Sequence, residues 1–421
     1  MLIHSASQLL TLAGPAQRGS QLGYLGIIEE GAVQINNGLI TRVGHSRDLL
    51  SQVKEEAMLD ASGCVVMPGF IDAHTHLAWV GDRAAEFEER LKGKSYLEIQ
   101  AAGGGILSTV NATRRASQGE LLEQTRKRAQ AMFALGTTTA EAKSGYGLEW
   151  ESELRQMEVL LELNAQGPLE ILPTFLPAHS VPAEYKENPQ AYTQLICEQM
   201  LPKLKECWKQ HAPQAPLPWV DVFCEQGAFD LSQTRQILTA ASALGFPTKV
   251  HADEFANLGG VRLAVELGAT SVDHVVHTSA EEIRLLGKSQ TVAVSLPCTP
   301  FGLAETSYTP AKTILEADGI LAIASDLNPG TAWCGNMQFA LALACRYLHL
   351  TPAQAISTAT INAAAAIHCA NRLGSLEVGK QADLLVLNIP SYQHLGYRFG
   401  ENLVKHVVKR GTVYSLQDTE F

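Results

Sequence analysis

The sequence predicts an α/β protein, a (β/α)8 TIM-like barrel with a small β-sandwich domain built from both chain termini. In the middle of the chain, short apolar segments alternate with stretches of helical periodicity such as ESELRQMEVLLEL. Both ends instead alternate apolar and polar residues, a pattern typical of half-buried strands. We therefore predict the β-domain over residues 1–65 and 369–421 and the barrel over residues 66–368.

The two ends of the chain are similar in pattern. The N-terminal segment LGIIEEGAVQINNGLITRVG has a turn at Asn36-Asn37-Gly38, which is a hairpin signal. The C-terminal segments GSLEVGKQADLLVLNIP and HVVKRGTVYSL also have strand character. Strand-like ends on either side of a different middle favour one small domain made from both termini.

The middle of the chain contains eight strand candidates separated by helical segments. They end near VVMPGFIDAH, TTTAEAKSG, LEILPTFLPAH, WVDVFCEQ, PTKVHADE, TSVDHVVH, TVAVSLP and LAIASD. Eight strands that alternate with helices in this way predict the (β/α)8 barrel. The unusual polar residues fall at the C-terminal ends of these strands, where barrel enzymes have their active sites.

Composition excludes several classes of function. The 421 residues carry 43 acidic and 32 basic side chains, a net charge of -11, with no dense basic run, so neither nucleic acid nor an anionic membrane is an expected partner. No apolar run approaches the roughly 18 residues that span a bilayer, and we expect no signal peptide. Eight cysteines without a C-x-x-C pair indicate free thiols in a reducing cytosol, so the expected location is cytoplasmic.

Four residues at the predicted strand ends suit a metal ion. In extended backbone, residues two apart point the same way, so His74 and His76 can face one ion. His251 ends the fifth strand candidate and Asp326 the eighth. Each residue alone is equally readable as a core histidine or a helix cap. Together, three imidazoles and a carboxylate at one end of a barrel favour a divalent ion such as zinc, with water completing its coordination.

This arrangement resembles the amidohydrolase superfamily. H-x-H on strand one, histidines on strands five and six (His251 and His274) and Asp326 on strand eight are the similar positions. The motif G-x-L-x-x-G-x-x-A-D-L, from Gly374 to Leu384, is similar as well. Strand four ends in VFCEQ and has no lysine, so the resemblance implies one divalent metal ion per subunit, zinc first and iron as the alternative.

Longer motifs resemble the imidazolonepropionase family within that superfamily. They are GDR, AAGGGILSTVNATR, AKSGYGLE, LPAHSVP, VHADEFANLGG and SDLNPGTAW. The resemblance implies hydrolysis of the ring amide of 4-imidazolone-5-propanoate to N-formimidoyl-L-glutamate in histidine degradation, by attack of metal-activated water. It also implies a small anionic substrate as partner and a homodimer.

The resemblance also implies roles for individual residues. Glu254 would be a catalytic acid/base, His274 would hydrogen-bond the nucleophile or the developing oxyanion, and Asp326 would accept a proton besides binding the metal. Arg83 is expected to bind the propanoate carboxylate through two parallel hydrogen bonds from its guanidinium. Tyr96 is equally readable as a helix-packing aromatic. The full set of expected substrate-binding residues is Arg83, Tyr96, Tyr146, His179, Glu254, Asn328, Gly330 and Thr331.

Two alternative functions stay open at this point. His251-Ala-Asp-Glu254 also resembles the H-x-x-E of ring deaminases, which allows a guanine-deaminase-like activity. A purine site, however, has no need of Arg83 with the loop from Asn328 to Thr331. The second alternative is a non-catalytic scaffold relative, which would be expected to lack metal ligands. The stretch KECWKQHAPQAPLPW, before strand four, is predicted to be an inserted surface loop.

Overall fold

The structure is a computed structural model that describes residues 1–52, 57–94, 98 and 104–415. Tyr96, one of the predicted substrate contacts, lies outside these residues.

The N-terminal strands confirm the predicted hairpin. Strand β2 (Ile27–Asn36) pairs antiparallel with β3 (Leu39–His45), and the turn between them places Asn37 at φ 49° and Gly38 at φ 77°. Two successive left-handed residues are what a two-residue hairpin turn of type I′ requires, and Asn-Gly is its favoured sequence. The strands of this region are β1 Leu2–Leu10, β2 Ile27–Asn36, β3 Leu39–His45, β4 Met58–Asp60 and β5 Val65–Pro68.

The predicted barrel is confirmed. Eight parallel strands pair in chain order, and each corresponds to one of the predicted segments. Backbone hydrogen bonds from Asp326 N to His74 O (3.1 Å) and from His76 N to Leu327 O (2.9 Å) join the last strand to the first and close the ring. The barrel strands are β6 Phe70–Asp72, β7 Thr137–Lys143, β8 Glu170–Ala178, β9 Trp219–Cys224, β10 Lys249–Ala252, β11 Ser271–His274, β12 Val292–Ser295 and β13 Leu321–Ile323.

The C-terminal strands complete the second sheet. Strand β14 (Leu384–Leu387), which is followed by β15 (Val404–Lys409) and β16 (Thr412–Ser415), pairs antiparallel with β5. The two ends of the chain therefore share one sheet of order β16-β15-β14-β5-β1-β2-β3, with β4 beside β1. Ile40 N donates to Lys380 O at 2.9 Å, which joins β3 to the segment that leads into β14. The domain boundaries at residues 65 and 369 stay a prediction.

Helices follow the barrel strands and cover them on the outside. Within the described residues, no helix combines the length and the apolar character that crossing a membrane requires. The α-helices are Ser46–Leu50, Ala84–Leu91, Ile106–Arg115, Gln118–Ala134, Trp150–Gln166, Pro189–Leu195, Leu201–His211, Leu231–Ala243, Gly260–Glu266, Ala280–Gly287, Cys298–Leu303, Ala311–Glu316, Met337–Tyr347, Pro352–Thr358 and Ile361–Ala365.

The predicted surface loop before strand four needs correction. Its first half continues the helix Leu201–His211, and only the stretch after it is irregular. Trp208 is buried, and its indole Nε1 donates to Pro216 O at 2.9 Å, which folds the irregular part back on the helix. The prediction was wrong because prolines and charged residues dominate the stretch, while few of its residues, Trp208 and Trp219 among them, pack inward.

Candidate metal centre

The polar residues predicted from the strand ends meet in one buried cluster. His74 and His76 directly follow β6, His251 lies in β10, His274 ends β11 and Asp326 follows β13, and all are buried. His274 and Asp326 adopt left-handed backbone conformations, with φ of 77° and 53°. Such strained non-glycine residues concentrate at functional sites, where the surrounding fold holds them in place.

Two overlapping groups of side chains can hold a metal ion. The ligand atoms of His74, His251 and His274 lie within 4.8 Å of one another, as do those of His74, His76 and Asp326. Asp326 Oδ1 is 3.4 Å from His74 Nε2 and 3.6 Å from His76 Nε2. The Nε2 atoms of His76 and His251 are 3.4 Å apart. The four residues predicted to bind a metal therefore converge.

The chemistry of the donor set fits a divalent ion. His74 Nε2 is buried and, among the described residues, has no hydrogen-bond partner, while its Nδ1 lies 2.6 Å from Asp273 Oδ2. His251 Nδ1 lies 3.0 Å from Asp221 Oδ2. A carboxylate behind each ring is the usual support of a metal-binding histidine, because it leaves the far nitrogen open to the ion.

Electrostatics keep these rings in the form that binds metals. Burial, reinforced by the positive charge of Lys143, lowers the pKa of His74 well below its usual value. Burial likewise lowers the pKa of His76 well below its usual value. Both imidazoles are therefore neutral near pH 7, with a nitrogen lone pair available to an ion.

Glu254 lies at the edge of this cluster, beside His274. Its Oε2 atom is 3.4 Å from His274 Nε2. Burial, together with the negative charge of Asp326, raises the pKa of Glu254 well above its usual value. Burial also raises the pKa of Asp326 to about 6, although the Thr299 hydroxyl opposes this shift. A carboxyl group that can carry a proton near neutral pH is suited to acid–base work.

Arg83 contacts the loop that follows β13. A methyl group on Gly330 would lie 2.2 Å from Arg83 Nη1, so the guanidinium rests directly against this glycine. Asn328 shapes the loop, since its Oδ1 accepts hydrogen bonds of 2.8 Å from the backbone N atoms of Gly330 and Thr331. The structure therefore brings Arg83 together with Asn328, Gly330 and Thr331.

Two further predicted residues pack against the histidines. The ring of His179 stacks on that of His76, with centroids 4.6 Å apart and an interplanar angle of 15°. His179 Nδ1 is 3.0 Å from Gly145 O, which leaves its Nε2 for another partner. The Tyr146 ring lies 5.3 Å from the His179 ring, edge to face. These side chains form an aromatic wall beside the candidate metal ligands.

Comparison with known proteins identifies the family. A model of the amidohydrolase family matches residues 65–414. A protein named imidazolonepropionase from Herpetosiphon aurantiacus is 50% identical over 413 residues, covering 98% of this chain and 96% of that protein. One of the same name from Chloroflexus aggregans is 44% identical, covering 98% of both. This chain belongs to the amidohydrolase family, in its imidazolonepropionase branch.

Solved amidohydrolase structures share the fold. An adenosine deaminase from Xanthomonas campestris with bound zinc superposes with a TM-score of 0.71 at 20% identity, covering 100% of this chain and 94% of that one. A 5-methylcytosine deaminase from Klebsiella pneumoniae gives 0.73 at 16% identity, covering 100% and 98%. At this identity the likeness concerns the fold alone, and it confirms the barrel with its second sheet.

Sequence reasoning missed the residues behind the histidines of this amidohydrolase. Asp221 and Asp273 are fully buried, and each contacts a histidine ring. Thr299, whose hydroxyl donates to Asp326 Oδ2, was missed too. The signal for the aspartates was present, because a charged residue inside an apolar strand such as WVDVFC must have a partner. The sequence does not reveal which partner that is.

Proposed function

We propose that this amidohydrolase hydrolyses the ring amide of 4-imidazolone-5-propanoate to N-formimidoyl-L-glutamate. The observation that carries the proposal is the contact of Arg83 with Gly330 beside a buried histidine–aspartate cluster. Arg83, placed against this loop, can bind a carboxylate of the substrate next to the cluster at which hydrolysis would occur. The relatives named imidazolonepropionase support the same substrate. We also propose that the protein is cytoplasmic, as its free cysteines indicate, and a homodimer, as the resemblance implies.

His74, His76, His251 and Asp326 would hold one divalent ion, zinc by preference and iron as the alternative. Such an ion lowers the pKa of water from about 15.7 to about 7 and polarises a carbonyl, so that water is deprotonated near neutral pH. His274 also lies near His74 and His251. We assign it to the reaction because its Nε2 lies beside the carboxyl group of Glu254, at 3.4 Å.

The proton transfers fall to the acidic residues. Asp326 accepts the proton that the attacking water loses, and Glu254 positions this water and then protonates the ring nitrogen as it leaves. General acid–base work of this kind contributes about 10²–10⁴-fold to the rate. His274 donates a hydrogen bond to the carbonyl oxygen, where negative charge develops.

Residues other than the proposed metal ligands orient the substrate. Arg83 forms a two-pronged contact with the propanoate carboxylate, since the guanidinium matches its geometry. Tyr146 and His179 line the ring of the substrate. Gly330 and Thr331 contact the carboxylate that hydrolysis creates, and Asn328 holds these two residues in place through its amide.

Direct turnover tests the proposal. Protein replete with zinc or iron is mixed with imidazolone propanoate, and loss of the ultraviolet absorbance of the ring is followed. Guanine is offered in parallel, with ammonia release as the measurement. Turnover of the imidazolone alone supports the proposal, whereas ammonia from guanine favours the deaminase. Protein that binds no metal and turns over neither compound would indicate the scaffold relative.

Replacing Arg83 by methionine is expected to raise KM for the propanoate substrate by about 10- to 100-fold. The reason is the loss of a charge-assisted hydrogen bond, worth roughly 1.5–3 kcal/mol. Steady-state kinetics measure the change. Arg235→Met, which removes an exposed arginine paired only with Glu266 among the described contacts, is the control and should leave KM unaltered. An unchanged KM in Arg83→Met would remove Arg83 from the carboxylate site.

Replacing Gly330 by alanine tests the same contact without removing the arginine. The new methyl group would lie 2.2 Å from Arg83 Nη1, at the flexible end of the side chain, so the guanidinium must move while the fold tolerates the change. We expect KM to rise by up to about tenfold with thermal stability nearly unaltered. Gly119→Ala, where the methyl group meets open space, is the matched control. Equal KM values in the two variants would contradict the contact.

A further inference from the structure

Two lysines that no step of the proposed reaction uses are buried behind the histidine cluster. Lys143 ends β7 and Lys249 begins β10, and the side chains of both have no exposed surface. Lysine is almost never fully buried unless it is paired, because moving an ammonium group out of water is costly. Their position in the barrel therefore requires an explanation in terms of their partners.

Lys143 is surrounded by carboxylates. Its Nζ lies 2.7 Å from Glu141 Oε1, 2.8 Å from Asp221 Oδ2 and 3.9 Å from Asp273 Oδ2. Burial opposes the charged ammonium, but the negative charges of Asp221 and Glu141 outweigh it and raise the pKa of Lys143 above its usual value. Lys143 therefore stays positively charged at the centre of three acidic side chains.

Two of these carboxylates contact the candidate metal ligands. Asp221 Oδ2, which accepts from Lys143, is also 3.0 Å from His251 Nδ1. Asp273 Oδ2 is 2.6 Å from His74 Nδ1. The ammonium of Lys143 is therefore connected to the His251 ring through Asp221 and to the His74 ring through Asp273.

The remaining contacts connect the same network to the backbone beside the H-x-H pair. Glu141 Oε2 accepts from Thr75 N at 3.2 Å. Lys249 Nζ donates to Ala73 O at 2.9 Å and lies 3.7 Å from Asp273 Oδ2. The two lysines and three carboxylates therefore hold the main chain on either side of His74 as well as the rings of His74 and His251.

We propose that Lys143 is a positioning residue, which holds Asp221 and Asp273 so that His74 and His251 present their Nε2 atoms to the metal. Without its charge, three carboxylates would face one another in a dry core with Lys249 as their remaining buried cation. They would repel one another and turn away from the rings. This inference rests on the proposed function, because it takes His74 and His251 as metal ligands.

Metal affinity of the full-length protein tests the proposal. Lys143→Met removes the ammonium and retains an unbranched apolar chain. We expect its affinity for Zn²⁺, measured by competition with a chromophoric chelator, to fall about 10- to 100-fold, the usual cost of losing a group that supports a metal ligand. The visible spectrum of the Co²⁺-loaded protein should change as well, because it reports the ligand geometry.

Lys409 provides a matched control. It is also buried in a network of acidic groups, with Nζ 2.6 Å from Asp383 Oδ2 and 3.0 Å from Glu170 Oε2, but these lie between the barrel and the terminal sheet. Lys409→Met should cost stability without altering Zn²⁺ affinity or the Co²⁺ spectrum. Wild-type affinity and spectrum in Lys143→Met would overturn the proposal, and so would an equal loss of affinity in both variants.

A second variant covers the case in which Lys143→Met does not fold. Asp221→Asn preserves the shape of the side chain but removes the charge through which Lys143 reaches His251. The same loss of Zn²⁺ affinity is expected, and full affinity would overturn the proposal. The metal measurements need no substrate, so wild-type protein that binds Zn²⁺ with this dependence on Lys143 but fails to open the imidazolone ring would refute the proposed function alone.

Discussion

Replacing Glu254 by glutamine is expected to lower kcat by about 10²–10⁴-fold while the protein retains its metal. The amide has nearly the size of the carboxyl group but cannot deliver a proton to the leaving ring nitrogen. The position of Glu254 beside His274, at 3.4 Å, and its pKa, raised by burial, both suit that task. Steady-state kinetics with imidazolone propanoate and elemental analysis of the same sample measure the two effects.

Glu266→Gln is the control for this prediction. Glu266 lies on the helix that follows β10, and its exposed carboxylate pairs with Arg235. The same chemical change at this position should leave kcat within experimental error. A Glu254→Gln variant with wild-type kcat would transfer the acid–base role to His274 or Asp326, whereas loss of the metal would show that the substitution disturbs the ligands.

Replacing Asp326 by asparagine is expected to lower the activity at least as much as Glu254→Gln does. Unlike that substitution, it should also lower the metal content. The carboxylate is the one charged group among the four proposed ligands, and its oxygen lies near both His74 and His76. Removing a group that merely supports a ligand already costs about 10–100-fold in metal affinity, so we expect a larger loss here. Elemental analysis after dialysis and ring-opening kinetics measure it.

The choice of asparagine separates chemistry from backbone strain. Asp326 has a left-handed φ of 53°, a conformation that asparagine tolerates better than other residues with side chains. Asp318 shares this feature, with φ 64°, but is exposed at the surface. Asp318→Asn should retain both metal and activity. Full metal content in Asp326→Asn would exclude Asp326 from the ligands and leave the three histidines to bind the ion.

The strand ends explain why so much of the site could be predicted. In a parallel barrel, all strands finish at one rim, so any residue that follows an apolar segment is brought to the same place whatever its distance along the chain. His74, His251 and Asp326 were found in this way, and the structure brings them together. Arg83 needed the resemblance to a family, because it follows the strand by several residues and its position depends on a loop.

The contacts behind the site could not be predicted in the same way. Lys143 ends a barrel strand, and the sequence shows it only as a charged residue in the segment TTTAEAKSG. Whether such a residue faces the barrel interior, and which carboxylate it meets there, depends on the stagger between neighbouring strands. A shift of one residue would turn its side chain to the opposite face.

By itself, the sequence determined the class of fold, the order of the barrel strands, the hairpin at Asn37-Gly38 and the identity of the metal-binding candidates. Local patterns suffice for these, because apolar periodicity and turn chemistry act over a few residues. Only the tertiary structure decided that Asp273 supports His74, that Asp221 supports His251 and that Lys143 lies between them. The physical reason is that a buried charge must be compensated by whichever groups the closed barrel places within a few ångströms, irrespective of their separation in the chain.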